Sequence, residues 1–539
     1  MSLLSRALGY LRGTAAGMTG EVLPARRVGS SYMRGGRGVT FNGWRPALRE
    51  AQDEISEAWT DAAARAIDAI QNSGWLSGAI EQAISNTVGE GLRLKAQPEN
   101  SLFGMDDKSA RDWALMVERR FGMWADKSQE CDIEGRRSFG QMQATAFASW
   151  IATGEILAEL PWRKRSWNTY GTKVRLLPPQ RLSRKTDYSK RLKNGVFEDI
   201  DGMPVGYLTC YADPMLGTIE KYVSARDPYG RARMMHIFNG PPGTARGISP
   251  MTPALQVAKQ FDQLSDATLT AAILKTIFAA TIKGDAPTEE VLQGLLTPEE
   301  QTRIYKDGVS PLDIYMDALG GFYEGSTINL GINGRLSHLF PGQELELHSV
   351  QGPGEDYKTY SSHLLRELAR CLGLTFEAAT GDYTGATYSS TRMATGEIFE
   401  VTKVRRKNVV APFCQAGYEA WLEEEIEAER IPFPGGLPNF LLNRSAASRA
   451  AWRGTPKLQA DDLNIAKSHE IWSRMGVVSD DAIANDLGHD IEDVYAARAR
   501  EMELRKHYKL PEPALMNATG GGVSNDSSNP GGGSSGGNA

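Results

Sequence analysis

The sequence predicts an α+β chain that is mainly helical, and three observations carry that reading. Two long helical patterns at residues 356–372 and 391–429 flank a short loop of small, hydroxyl and aromatic residues. A third helical pattern spans 251–282, with Leu255, Ala258, Phe261, Leu264, Leu269 and Ile273 forming an apolar stripe. Short β-like runs are confined to the stretch before residue 212 and to a small insert near 328–347.

The elements follow in chain order. Residues 1–45 are Gly- and Arg-rich with weak periodicity, which suits a flexible basic arm, although an organellar transit peptide would look similar. Residues 46–248 read as one α+β domain. Helical spacing runs through Ala63, Ile67, Ile70, Ile80 and Ile84, then through 109–124 and 139–152. β-like runs follow at 155–159, 173–177 and 205–211. Ser249 and Pro250 are suited to cap and open the helix at 251–282. Thr297-Pro298-Glu299-Glu300 is the pattern of a capping box. Asn333-Gly334 predicts a tight hairpin between 328–332 and 335–339. Leu345 and Leu347 alternate with Glu344 and Glu346, as in a strand with one wet face.

Past the insert, the helix at 356–372 is closed by Gly373, and the loop at 381–390 leads into the last long helix. Pro412 removes one backbone hydrogen bond there and should kink it. Residues 432–456 read as an extended connection, and 460–504 as helices broken near Gly476 and Gly488. The Gly, Ser and Asn composition of 511–539 cannot bury enough apolar surface to order itself.

Bulk properties bound the function. A net charge of −6 over 539 residues excludes a chain that grips nucleic acid by overall basicity. Cys131, Cys210, Cys371 and Cys414 lack CxxC spacing, so they read as reduced, buried thiols and not as a zinc or disulfide framework. The apolar run at 267–282 is too short and too polar to span a bilayer. Motifs for catalysis are missing. No Gly-Lys pair exists for a P-loop, and the turn at 240–247 lacks its register. His469-Glu470 has no second histidine for zinc, and the only G-x-S-x-G lies in the Gly/Ser tail. His236 and His363 read as packing or surface histidines. The acidic pairs Asp106-Asp107 and Glu423-Glu424-Glu425 read as solvated helix faces. No catalytic residue, metal site or cofactor is expected. Three basic clusters remain, at 163–165, 181–193 and 403–407; in the last, Lys403 and Lys407 share a helix face.

Thr387-Tyr388-Ser389-Ser390-Thr391-Arg392 followed by Val404-Arg405-Arg406-Lys407 resembles the portal proteins of tailed bacteriophages, of the lambda type. Gln260-Phe261-Asp262-Gln263-Leu264 leading to Ala271–Ile282, and Leu339-Phe340-Pro341-Gly342 leading to Gly373-Leu374-Thr375-Phe376-Glu377, are similar to the same family. The likeness covers roughly residues 45–510 in order and spacing.

The resemblance implies a portal-type fold with wing, stem, clip and crown, assembled as a ring, typically of about twelve subunits. DNA would enter and leave the capsid through it. The implied division is a wing at 46–248, stem helices at 249–283 and 353–378, and a clip at 284–352. A tunnel loop at 379–390 follows, then a long kinked helix and return at 391–457, and a crown at 458–510. The implied tunnel-loop residues are Tyr383, Thr384, Gly385, Thr387, Tyr388, Ser389 and Ser390. Arg392, Lys403, Arg405, Arg406 and Lys407 would lie on the tunnel helix or between subunits. Glu299, Glu300, Asn333 and Arg335 would serve terminase docking. Implied partners are further copies of the chain, double-stranded DNA, the terminase large subunit, head–tail connector or adaptor proteins, and a major capsid or scaffold protein, with no membrane. The implied place is the virion, reached from the host cytoplasm. Two other readings stay open: a different capsid or scaffold-binding head protein, and a nucleic-acid-processing packaging enzyme.

The loop chemistry suits a channel on its own terms. In a ring each inward cation becomes a belt of charge, and neutralising several phosphates would hold sliding DNA fast. Hydroxyls and aromatics can touch a backbone without that grip, and Gly381 and Gly385 let the loop bend.

Overall fold

The computed structural model describes residues 47–213, 217–276, 280–284, 298–299, 308, 313, 316–317, 320–321, 327–329, 335–337, 343–347, 355–456 and 462–511. The chain divides into two units, Met1–Glu54 and Ile55–Ala539. The core, the sheets and the long helices from residue 55 onward belong to the second.

Helices α1 (Ala51–Asn72) and α2 (Gly74–Thr87) lead to strand β1 (Arg93–Ala96). Helices α3 (Asp107–Ala125), α4 (Ser128–Cys131) and α5 (Phe139–Thr153) follow. Local chemistry sets their ends. The Asp106 side chain accepts from the Ser109 amide to start α3, and Ser138 with Gln141 forms a reciprocal capping box on α5. Gly154 ends α5 at φ 87°, where an added Cβ would strike the Ile248 backbone.

The sheet region comes next: β2 (Glu155–Glu159), β3 (Arg175–Leu177), β4 (Leu192–Lys193), β5 (Val196–Glu198), β6 (Pro204–Asp213), β7 (Gly217–Ser224) and β8 (Met234–Phe238). These form two antiparallel sheets ordered β3-β2-β8 and β4-β5-β6-β7.

Helix α6 runs Leu255–Thr276, and β9 (Ala280–Gly284) succeeds it. The helical pattern predicted to residue 282 therefore stops early. β9 pairs antiparallel with β12 (Gln343–Leu347), Leu345 opposite Ile282, so its β-branched Thr281 and Ile282 obey strand pairing and not helical spacing. Ser249 does not cap α6 either. Its hydroxyl donates to the Ile151 carbonyl and accepts from Met251, and a 3-10 turn, Thr252–Ala254, precedes the helix.

Between these strands, β10 (Thr327–Asn329) pairs with β11 (Arg335–Ser337). Asn329 stands opposite Arg335 in that pairing. Asn333, Gly334 and Glu300 lie outside the described residues. Glu299 is helical and exposed.

Helix α7 (Glu355–Leu372) packs beside α6, where Ser265 and Tyr357 hydroxyls are 3.4 Å apart. The short α8 (Phe376–Thr380) precedes α9 (Tyr388–Arg405), a π turn (Arg406–Val410) and α10 (Ala411–Glu427). Residues 432–456 are not an extended connection. They form α11 (Gly436–Leu442), α12 (Arg444–Ala447) and β13 (Ala450–Arg453), which pairs with β1. Helices α13 (Asp462–Arg474), α14 (Asp480–Asp486) and α15 (Ile491–Tyr508) end the described chain.

The core gathers around α10. Phe121 meets Trp421 at 5.2 Å and Phe139 stacks on Phe413 at 5.6 Å between ring centroids. Each such buried ring contributes roughly 1.5–3 kcal/mol relative to exposure. The three glutamates of α10 belong to this core, contrary to a solvated face. Glu424 accepts from the Gly171 and Thr172 amides at 2.7 and 2.6 Å. Glu425 is wholly buried and binds Arg120 and Arg430, and Glu423 reaches Arg444 at 2.8 Å. The pattern misled because a run of acids is ordinarily solvated, and the distant arginines and amides that satisfy these ones leave no local signal.

All four cysteines are free; Cys131 and Cys414 are buried and the other two half-buried. Among the described residues no His/Cys/Asp/Glu group could hold a metal ion, and no helix is long and apolar enough to cross a membrane.

Candidate functional site

Where α8 ends, Gly381 adopts φ 70° and its amide bonds the Glu377 carbonyl at 2.8 Å. Asp382 then organises the loop. Its carboxylate accepts from the Thr384 amide at 2.9 Å, and the Thr384 hydrogen bonds hold its pKa below the usual carboxylate range. The Ala386 amide bonds the Tyr383 carbonyl at 3.1 Å, and Gly385 takes φ 78°. Residues 381–385 are all exposed, including the Tyr383 ring.

The loop is shorter than the sequence suggested. Thr387 is the N-cap of α9, and Thr387 and Ser390 form a reciprocal capping box at 3.3 and 3.1 Å. Tyr388, Ser389 and Ser390 are therefore the first turn of a helix and not loop residues. A Thr-x-x-Ser cap was overlooked because Glu or Gln is the usual partner. The loop-organising role of Asp382 is what sequence reasoning passed over, although Asp-Tyr-Thr-Gly carries an Asx-turn signature.

Helix α9 packs against α2 and runs on into the π turn. Ile398 and Thr402 are its buried residues among the described side chains, whereas Arg392, Met393, Val401 and Val404 are exposed. At its C-terminal end two consecutive arginines turn inward. Arg405 donates to the Leu372 carbonyl and, at 3.1 Å, to the Cys371 carbonyl, so it closes the C-terminus of α7. Gly373, at φ 70°, clears the space; a Cβ there would lie 2.7 Å from the Arg405 guanidinium. Arg406 donates to the Thr87 and Asn86 carbonyls at 2.7 and 2.6 Å, closing α2, and burial pushes its pKa down to about 10. Each cation thus meets the negative end of a helix and satisfies carbonyls that would otherwise lack donors.

Within the chain, Arg405 and Arg406 bond the carbonyls that end α7 and α2. Lys403 pairs with Glu400 at 2.7 Å on an open surface, which contributes little, and Lys407 is exposed. The expected kink also takes a different form. The helix widens into the π turn just before Pro412, which sits in the first turn of α10. The turn at 240–247 holds no phosphate-like cradle. Its one cation, Arg246, is buried against Glu155 at 2.7 Å and stacks over Trp59 at 4.5 Å. His236 is buried 3.6 Å from the same carboxylate, and His363 is exposed.

The model of the phage portal protein, lambda family, matches residues 37–406. This chain belongs to the lambda family of phage portal proteins. It is 26% identical to the portal protein of Escherichia phage N15, over 89% of this chain and 91% of that one. It is also 26% identical to portal protein B of Escherichia phage lambda, over 90% and 92%. A solved structure titled as the neck of an empty GTA particle is similar at 14% identity and a TM-score of 0.42, covering 83% of this chain and 96% of that one. Membership makes the chain a structural component of the virion, and its role as a DNA-packaging channel follows from portal function. The stretch matched to the lambda-family portal model ends at Arg406, the second inward arginine.

Proposed function

We propose that copies of this chain close into a ring of about twelve subunits whose bore is edged by residues 381–387. One observation carries the reading: an exposed loop whose sole charged side chain is the anion Asp382, set between α8 and the N-terminus of α9. Tyr383, Thr384, Gly385 and Thr387 offer hydroxyl, ring and backbone contact. Asp382 adds repulsion, so a passing duplex meets an edge that guides and does not bind. The first turn of α9, with Tyr388, Ser389, Ser390 and Arg392, supports this edge from behind.

In the same reading residues 46–248 form the wing, α6 and α7 the stem, and the segment between them the clip. The clip, with Glu299, Glu300, Asn333 and Arg335, receives the terminase large subunit and later the connector proteins. The C-terminal helices from residue 458 form the crown inside the head. Packaging energy comes from the terminase, and the ring also seeds the shell of capsid and scaffold proteins in the host cytoplasm. The chain itself catalyses nothing.

Native mass measurement and electron microscopy of the purified protein test the ring, with closed annuli as the expected result. Solitary particles without a bore, or ATP turnover by the purified chain, overturn the proposal. For the loop, Tyr383→Lys with Thr384→Lys should leave the ring intact while slowing DNA entry in a packaging assay. Undiminished packaging removes the assigned loop role.

A further inference from the structure

One surface feature is unused by the channel reading. The loop Trp162-Arg163-Lys164-Arg165-Ser166-Trp167 sets two indoles at its ends, 60% and 70% exposed, around a basic triplet. The loop is held rigidly. The Arg163 amide bonds the Gly171 carbonyl at 2.6 Å and the Asn168 amide bonds the Arg165 carbonyl at 3.0 Å. Arg165 donates to the Ile133 carbonyl at 2.6 Å, and Asn168 to that of Gln129 at 2.8 Å. Glu130 accepts from the Thr169 and Tyr170 amides at 3.1 and 3.2 Å. The Trp162 indole packs against Gly171, where any Cβ would collide with it. Arg163 and Lys164 stay exposed, with no carboxylate within ion-pairing distance among the described residues.

We propose that this loop is a docking site for an acidic segment of another protein, one that carries large apolar side chains among its carboxylates. Charge complementarity commits it to an anion, because the two outward cations are uncompensated. The indoles then decide the class. A duplex hides its base faces, so two tryptophans would find nothing to stack on. A single strand needs cations along several phosphates, and this loop offers two, since Arg165 and the buried Lys173 are spent on backbone carbonyls. Two exposed indoles beside two cations are instead the residue types that dominate protein interfaces, and a loop tied down by backbone hydrogen bonds loses little entropy on binding. The chain's own ends do not fit. The arm before residue 46 is basic, and past Pro511 the only acids are Glu512 and Asp526.

The test uses the full-length protein and a fluorescent synthetic peptide of alternating glutamate and leucine. The comparison probes are the same peptide with serine for leucine and an oligo-dT strand. Binding of the leucine peptide should weaken roughly tenfold or more in Arg163→Glu/Lys164→Glu and in Trp167→Ala, and survive in Arg163→Lys. Trp167 is surface-exposed, so its replacement leaves the fold intact, and native mass of each variant checks the assembly separately. Unchanged peptide affinity in the variants, equal binding of the serine peptide, or tighter binding of oligo-dT overturns the assignment. So does a charge-reversed variant whose only defect is lost self-association.

Discussion

Helices α9 and α10 are nearly collinear in sequence and opposite in circumstance. Among the described side chains of α9, only Ile398 and Thr402 are buried; α10 buries eleven of its seventeen residues, among them Trp421, Tyr418 and three glutamates. One is a lever and the other its mounting. The π turn between them is where the change happens, and Arg405 and Arg406 fasten that point to α7 and α2. Stability is therefore concentrated behind the junction, and the exposed loop can be altered with little effect on folding.

This contrast is open to attack at four points. Trp421→Ala strikes the mounting and should destabilise by about 3–5 kcal/mol in chemical denaturation. A loss under 1 kcal/mol would show that α10 is not the anchor. The anchored side also titrates. Glu118, on α3, is pushed up to about 7, chiefly by burial and against the pull of Lys95. The folded state keeps this proton when the unfolded chain has released it. Its stabilising contribution is full below about 4.5, fades as pH rises, and is gone above about 7. Relative to Glu118→Gln, the wild type should lose at most about 3 kcal/mol across that window, read from unfolding at a series of pH values. At the junction, Arg406→Met leaves two carbonyls of α2 without donors, a cost of about 1–3 kcal/mol by the same measurement. Least affected is the lever. Tyr383→Ala should shift stability by no more than about 0.5 kcal/mol, and a larger loss would mean the loop is part of the core.

The helices were legible in the sequence because each carries its own stop signals. Gly373 closes α7, and Gly476 and Gly488 punctuate the C-terminal helices, all with positive φ in the structure. What escaped was non-local. The pairing of residues 450–453 with 93–96 joins segments whose sequences hold no trace of each other. The burial of Glu424 depends on amides at 171 and 172, and the inward turn of Arg405 and Arg406 depends on where α7 and α2 end. For the candidate site, loop chemistry was visible, but its length was not, because Thr387 and Ser390 cap each other through an uncommon pair.

The ladder between Arg93 and Arg453 has a consequence for biosynthesis. Its first strand leaves the ribosome long before its second exists, so the edge of β1 and the aromatic cluster awaiting α10 stay uncovered through most of translation. Closing so distant a contact is entropically slow, and a nascent chain in that condition needs shelter from its neighbours until the last third has emerged.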